Sequence, residues 1–330
     1  MSVKSEILKM LYEKETVSGE VMAGQLGVSR NAIWKAITAL REEGFSIDAV
    51  TNRGYVLVGS GDALSAAAIS SLLRPGMEWD IETRKEVSST NTVVKELAEN
   101  GAREGKVIIA SSQTAGKGRM GRSFSSPEGC GLYMSVLLRP VFPAEQALFI
   151  TTLASVCVSR AIEAAAEADA SIKWVNDVFC RGKKVCGILT EASLDMESGG
   201  LSYAVLGMGI NIKDPPGGWP EELAPVAGSL FGAAEPPRGV RNLIAAHILN
   251  GLAEEYRELE SRRFLSEYRS RSALLGKPVT MYVGKHTFDG VAVDIDSEAR
   301  LIVRLNNGEM RAFSSGEARA RKKGDIIDET

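Results

Sequence analysis

The sequence predicts an α+β chain built in three units, on three observations. Near the N-terminus, apolar residues recur at helical spacing in two short segments broken at Gly27. Residues 170–212 read as successive strands joined by tight turns, with long helical patterns before and after them. Beyond Lys277 the chain divides into short β runs separated by turn residues.

A chain of 330 residues is long enough for two or three domains. Its 44% hydrophobic and 25% charged content is that of an ordinary globular protein. No apolar run approaches the roughly 20 residues a membrane span needs, and the first residues lack an apolar signal core. A cytoplasmic protein with no membrane partner is therefore expected. Cys130, Cys157, Cys180 and Cys186 form no CxxC pair and are joined only by His247 and His286, so neither a zinc site nor a disulfide framework is expected. The formal net charge is −3, which confines any nucleic-acid contact to a local patch.

In the first unit, Ile7, Leu8, Leu11 and Tyr12 fall on one helical face. Val21, Met22, Leu26, Val28, Ile33, Ile37 and Leu40 continue the pattern across Gly27, giving a short helix over about 19–26 and a longer one capped by Ser29. Two helices around a tight turn form a helix-turn-helix. The runs FSIDAV and GYVLV, joined by a turn with Arg53 at its tip, add a wing. Arg30, Asn31, Trp34 and Lys35 are the residues that the second helix would turn outward to DNA, with Arg41 on the same side. Residues 1–60 hold seven basic and seven acidic side chains, so the reading rests on motif order and not on charge. A polar linker over 59–65 gives domains 1–62, 63–273 and 274–330.

In the second unit, a strand near 81–87 meets SSTN and then a helix. Ser89, Thr90 and Asn91 could hold a small polar ligand there, although on this stretch alone plain helix capping is the simpler reading. The strand 106–112 feeds a loop rich in Gly, Lys and Arg. Gly116, Gly121, Arg122 and Ser123 nearly spell a phosphate-binding P-loop, but Arg122 replaces its Lys and a strand follows where a helix is required. A cationic loop folding over an anionic ligand is the better reading. A long apolar helix over 147–169 then packs on the sheet, with helices expected on one side. SIKWVNDVFC reads as a strand ending that brings Lys173, Asn176 and Asp177 together, and Lys184 follows on the next strand. Gly207 and Gly209 share one strand face, where a ligand could lie flat on the backbone.

Five motifs in order, SSTN, QTAGKGRMGR, KWVND, KKVCGIL and GMGIN, together with the helix-turn-helix, resemble the biotin–protein ligases in their bifunctional bacterial form, ligase and biotin-operon repressor in one chain. The likeness spans nearly the whole sequence. It implies a central domain like that of class II aminoacyl-tRNA synthetases and biotin ligases, and a C-terminal SH3-like barrel. It implies ATP, Mg2+ and biotin, with biotinyl-5′-AMP as intermediate and corepressor. The partners implied are a biotin carboxyl carrier protein domain, operator DNA and a second copy of the chain once adenylate is bound.

By this resemblance Ser89, Thr90, Asn91 and Gln113 belong to the biotin pocket. Lys117, Gly118 and Arg119 belong to the loop closing on biotin and adenylate, and Lys184 lies near the biotin carboxylate and the α-phosphate. Arg119, Arg122, Asn176, Asp177, Lys184 and Asn211 serve ATP. Gly187, Gly207 and Gly209 line the pocket, and Lys184, Arg119 and Lys117 are the catalytic cations. Gly316 and Glu317 match a glycine–glutamate motif at the ATP end. Lys117 stands where Arg is commoner, Met120 replaces a further Arg, Val175 replaces Pro and Phe124 replaces Trp. Three alternatives stay open at this point: a ligase that no longer regulates, a biotin sensor without chemistry, and a lipoate or octanoate transferase of similar fold.

Overall fold

The computed structural model describes residues 2–13, 16–51, 53–60, 64–194 and 200–321. Three helices open the chain: α1 (Val3–Glu13), α2 (Gly19–Leu26) and α3 (Arg30–Glu42). Gly27 ends α2 at φ +63°, a left-handed conformation that glycine adopts without steric cost. Ser29 then caps α3 by accepting the Ala32 N–H at 3.2 Å. Strands β1 (Phe45–Val50) and β2 (Gly54–Ser60) pair as the antiparallel wing. Ile7, Leu8, Leu11, Met22, Ile33, Ile37 and Leu40 are buried in one core. Tyr12 and Val21, expected with them, are exposed instead. Arg41 is exposed, and its Nε donates to the Ile47 carbonyl at 2.8 Å, which braces α3 against the wing.

Helix α4 (Ala66–Ser71) follows. Its Ala67 and Ala68 are buried in the N-terminal core, whereas Ile69 belongs to the central one. The expected boundary at 62/63 lies outside the described residues.

The central sheet has seven strands: β3 (Asp80–Val87), β4 (Lys106–Gln113), β5 (Gly131–Leu138), β6 (Ala170–Lys173), β7 (Asp177–Cys180), β8 (Lys183–Leu194) and β9 (Leu201–Asn211). Their order is β3-β4-β5-β9-β8-β7-β6, parallel only between β3 and β4. The segment expected as one strand ending over 171–180 is the hairpin β6–β7. Residues 174–176 make its turn, so Lys173 pairs directly with Asp177. Arg181 and Gly182 turn β7 into β8 with φ of +50° and +75°, as a two-residue hairpin turn requires.

Helices cover both sheet faces, not one. On the first face, α6 (Ala147–Ala166) and α7 (Val240–Glu255) pack on Val107, Ile109, Leu132, Met134 and Val136. On the other, α5 (Thr90–Glu99) packs on the alternate residues Ile108, Leu137 and Val205. Double coverage is why β5 is buried at every position and reads as an unbroken apolar run. Helix α6 is long and apolar enough to cross a bilayer, contrary to the sequence expectation, but 72% of its most apolar stretch is buried inside the domain.

Helix α8 (Phe264–Ser270) leads to the C-terminal unit. It is a five-stranded antiparallel sheet of β10 (Pro278–Val283), β11 (His286–Ile295), β12 (Leu301–Leu305), β13 (Met310–Phe313) and β14 (Glu317–Ala320). It is fixed to the central sheet where the Trp174 indole N–H donates to the Ala299 carbonyl at 2.9 Å.

Candidate active site

Alternation along the strands places three glycines and their neighbours on the α5 face. Gly187 of β8 pairs with Gly209 of β9, and Gly207 of β9 pairs with Ser135 of β5. Helix α5 covers only one end of this face. The bare glycine patch beside it is roofed by the loop over 114–126. That loop is held as a small hairpin, with Gly118 N–H on the Arg122 carbonyl at 2.7 Å and Phe124 N–H on the Gly116 carbonyl at 2.8 Å. The Phe124 ring lies directly on the patch. A Cβ at Gly209 would stand 2.5 Å from this ring, and one at Gly187 3.2 Å.

The ring divides the space in two. The smaller chamber, about 20 Å³, is bounded by Ser89, Thr90, Asn91, Gln113, Gly207 and Gly209, with Lys117 and Gly187 at its edge. Apart from Lys117, its polar walls are neutral hydrogen-bonding groups. Ser89 is 2% exposed and makes no capping bond, so the plain capping reading fails. The Thr90 N–H at the start of α5 is held instead by Gln113 Oε1 at 2.8 Å, from β4. Gln113 Nε2 donates to Ser126 at 2.8 Å. Ser135 lies 2.7 Å from the Thr90 hydroxyl and 2.6 Å from Asn91 Oδ1, and Asn91 Nδ2 donates to Glu191 at 2.7 Å.

The larger chamber, about 570 Å³, collects charge: Lys117, Arg119, Arg122, Lys173 and Lys184 face Asp177 and Glu317, with Gly118, Asn176 and Asn211 on its wall. Lys184 Nζ is 2.6 Å from Asp177 Oδ1. Arg119 donates to Asn176 Oδ1 at 2.8 Å and reaches the Gly316 carbonyl at 3.4 Å. Asn176 is itself fixed by a bond from its Nδ2 to the Ile188 carbonyl at 2.8 Å. Asn211 Nδ2 donates to the Gly228 carbonyl at 2.9 Å. Burial pushes the Lys173 ammonium below its ordinary range, against the attraction of Asp177 and Glu317.

The Arg122–Glu317 ion pair, at 2.5 Å, latches the loop to the C-terminal unit. Burial works to raise the Glu317 pKa, but hydrogen bonds from Arg122 and Arg319 outweigh it and hold the group at about 2, against an ordinary 4.5. A depressed carboxyl stabilises the folded latch fully above its ordinary value and loses that contribution as pH falls toward 2. The latch is therefore expected to hold unchanged through neutral pH and to release only in acid. Hydrogen exchange of the 114–126 amides across a pH series checks this.

All the sequence-proposed ligand residues thus line one or other chamber. The DNA candidates stand apart: Arg30, Asn31, Trp34 and Lys35 are exposed on α3, and Arg53 is exposed on the wing turn. Sequence reasoning missed Ser135, Ser126 and Glu191, and it placed Lys173 only within a charge set with Asp177 and Lys184. Ser135 carried a signal, being a hydroxyl inside an otherwise apolar β5. The segment over 213–236, which brings Trp219 and Glu222 to the larger chamber, has no regular structure and no periodic signature.

Comparison with known proteins adds independent findings. Residues 84–211 match the Biotin/lipoate A/B protein ligase family, residues 3–56 an HTH domain, and residues 274–318 the Biotin protein ligase C terminal domain. The bifunctional ligase/repressor BirA of Bacillus subtilis is 36% identical over 95% of this chain and 98% of its own. The Escherichia coli BirA is 27% identical over 97% and 98%. The biotin protein ligase from Aquifex aeolicus in complex with biotin and ATP superposes with a TM-score of 0.60 at 29% identity, covering 74% of this chain and 99% of that one. With three units in the same order and likeness over almost its full length, this chain belongs to the biotin–protein ligases, in their bifunctional ligase/repressor form.

Proposed function

We propose that the chain joins biotin to ATP, giving biotinyl-5′-AMP and pyrophosphate, and passes the biotinyl group to a lysine of a biotin carboxyl carrier protein domain. Its N-terminal unit binds operator DNA and represses biotin genes with the adenylate as corepressor. One observation carries the reading: a neutral chamber and a strongly cationic one meet over a patch of bare backbone. Biotin has the matching halves, a neutral cyclic urea and a carboxylate on an apolar arm; at about 20 Å³ the smaller chamber receives the ring only when Phe124 turns off the glycine patch.

In the first step the biotin carboxylate oxygen bonds to the α-phosphorus as the bond to the bridging oxygen breaks, and pyrophosphate leaves with the electron pair. Two anions must approach. At about 4 Å and an effective dielectric near 20, a single pair of unit charges repels by about 4 kcal/mol. Lys184, Arg119 and Lys117 offset that repulsion and stabilise the charge in the transition state. Arg122, Asn176, Asp177 and Asn211 hold the nucleotide end. In the second step an acceptor lysine amine attacks the acyl carbon, AMP departs, and the amine's proton passes to solvent.

Among the described residues no group of three His, Cys, Asp or Glu could hold a metal alone. A magnesium ion bound mainly by substrate phosphates fits one nearby carboxylate, Asp177, and would neutralise phosphate charge.

ATP-dependent transfer of labelled biotin to a carrier domain tests the ligase reading. Biotin binding without pyrophosphate release would make the chain a sensor instead. The repressor reading also includes a homodimer. Adenylate under the 111–131 loop adds anchors at Lys117 and Arg119 to the Arg122–Glu317 latch, reducing the remaining ordering cost that association would otherwise bear, so it is expected to tighten the dimer. Sedimentation showing equal self-association with and without adenylate would overturn this.

A further inference from the structure

Glu191 stands on β8 beside the smaller chamber, and no step described so far uses it. It touches the ligand wall through one side chain, Asn91, whose Nδ2 it accepts at 2.7 Å. Asn91 is 4% exposed and Ser135 is fully buried, so both must satisfy their polar atoms within this cluster.

We infer that Glu191 is a positioning residue that sets the donor–acceptor polarity of the chamber and thereby selects a cyclic urea. This rests on the reading of the neutral chamber as the site for the biotin ring. A carboxylate only accepts. Asn91 must therefore turn its amide nitrogen to Glu191 and its oxygen to Ser135. Ser135 has one proton, and at 2.6 Å it goes to Asn91 Oδ1. The Thr90 hydroxyl has one proton and two acceptors in reach, Ser135 at 2.7 Å and Gln113 Oε1 at 3.1 Å; with the Ser135 proton spent on Asn91, the shorter contact takes it. Gln113 Oε1 keeps the Thr90 backbone N–H at 2.8 Å, and Gln113 Nε2 stays on Ser126.

Every proton in the relay is assigned by the charge at one end. Two groups are left facing the chamber. The second Asn91 N–H makes only a long bond to the Leu189 carbonyl, at 3.4 Å, which a ligand oxygen can replace. Thr90 Oγ1 has given its proton inward and offers a lone pair. The wall presents one fixed donor and one fixed acceptor, which suit the carbonyl and an N–H of a urea. Replacing the carboxylate by an amide of the same shape removes the constraint, since an amide both gives and accepts. Asn91 can then flip, the Ser135 proton can turn to Thr90, and the wall can present either polarity.

The test compares Glu191→Gln with the unmodified full-length chain in three competitions: biotin, desthiobiotin, and a biotin analogue whose ring is a cyclic carbamate, one urea N–H replaced by oxygen. The unmodified enzyme is expected to prefer biotin over the carbamate by at least about 10²-fold in kcat/KM, because a wall built to receive an N–H is left unpaired by the oxygen. In Glu191→Gln this preference falls at least about tenfold. KM for biotin rises while KM for ATP and kcat at saturating biotin stay near their original values. Desthiobiotin keeps the urea, so its ratio to biotin does not move. Ser135→Ala cuts the same relay further along and is expected to relax the carbamate ratio too.

An unchanged carbamate ratio in both variants overturns the role of Glu191. Equal loss on all three ligands assigns it a merely structural part and also overturns the role. An unmodified enzyme that does not distinguish biotin from the carbamate removes the ring-site reading itself, and the inference with it.

Discussion

Lys184→Ala is expected to lower the rate of adenylate formation by about 10² to 10³-fold, the usual effect of deleting one preorganised charge from a transition-state site. The side chain is 29% exposed and leans on Asp177 at 2.6 Å, so its ammonium is partly desolvated and aimed before any ligand arrives. Its backbone is clamped on both sides: its N–H donates to the Val226 carbonyl at 2.8 Å and its carbonyl accepts from Gly228 at 3.0 Å. Removing the side chain leaves Asp177 without its cation in a chamber that must receive a carboxylate and three phosphates. The substitution thus takes away an attraction and uncovers a repulsion. Pyrophosphate release in a single turnover measures it, and circular dichroism checks that the fold survives. A loss of less than about tenfold would leave Lys184 as a structural ion-pair partner only.

Gly207→Ala is expected to raise KM for biotin by about 10²-fold while moving KM for ATP little, since small misplacements of binding groups carry costs of that order. A Cβ at this position would stand 2.0 Å from Asn91 Oδ1, well inside contact distance. Asn91 cannot retreat without breaking its bonds to Ser135 and Glu191, and a buried polar group left unpaired costs about 1 to 3 kcal/mol. The larger chamber lies beyond the Phe124 ring and does not include Gly207. Steady-state kinetics in both substrates, with thermal unfolding alongside, separates this local effect from general loss of fold. An unaltered biotin KM would mean that the neutral chamber does not hold the ring.

What could be read from the sequence followed the physics of each element. The helix-turn-helix was legible because caps and turns act locally: Ser29, Gly27 and the helical spacing of Ile33, Ile37 and Leu40 lie within a few residues of one another. The wing and the C-terminal strands were legible for the same reason. The pairing of Lys173 with Asp177 was not, because residues 174–176 look like strand and turn only in the sheet. Helices were expected on one side only, because the pattern of α5 shows that it buries a face, but not which face of the sheet receives it. The glycines and cations of the site were visible as residue types. The links between them were not: Ser135, Glu191 and Ser126 are joined to Thr90, Asn91 and Gln113 only across strands, and no spacing rule reaches that far.

Helix α4 limits how far the chain can be treated as detachable parts. Ser65 caps it, bonding the Ala68 N–H at 3.4 Å while its own hydroxyl donates to Glu43 at 2.7 Å, at the end of α3. The Ser65 N–H donates to Asn242 of α7 at 3.0 Å. A cut in the linker before it strips Ala67 and Ala68 of their packing partners and leaves the cap without its carboxylate. A cut after it takes Ile69 and the Ser65–Asn242 bond from the central domain. Neither a free-standing catalytic fragment nor a chimera with a foreign DNA-reading head would inherit an intact seam, and each would need Glu43, Ser65 and Asn242 rebuilt together.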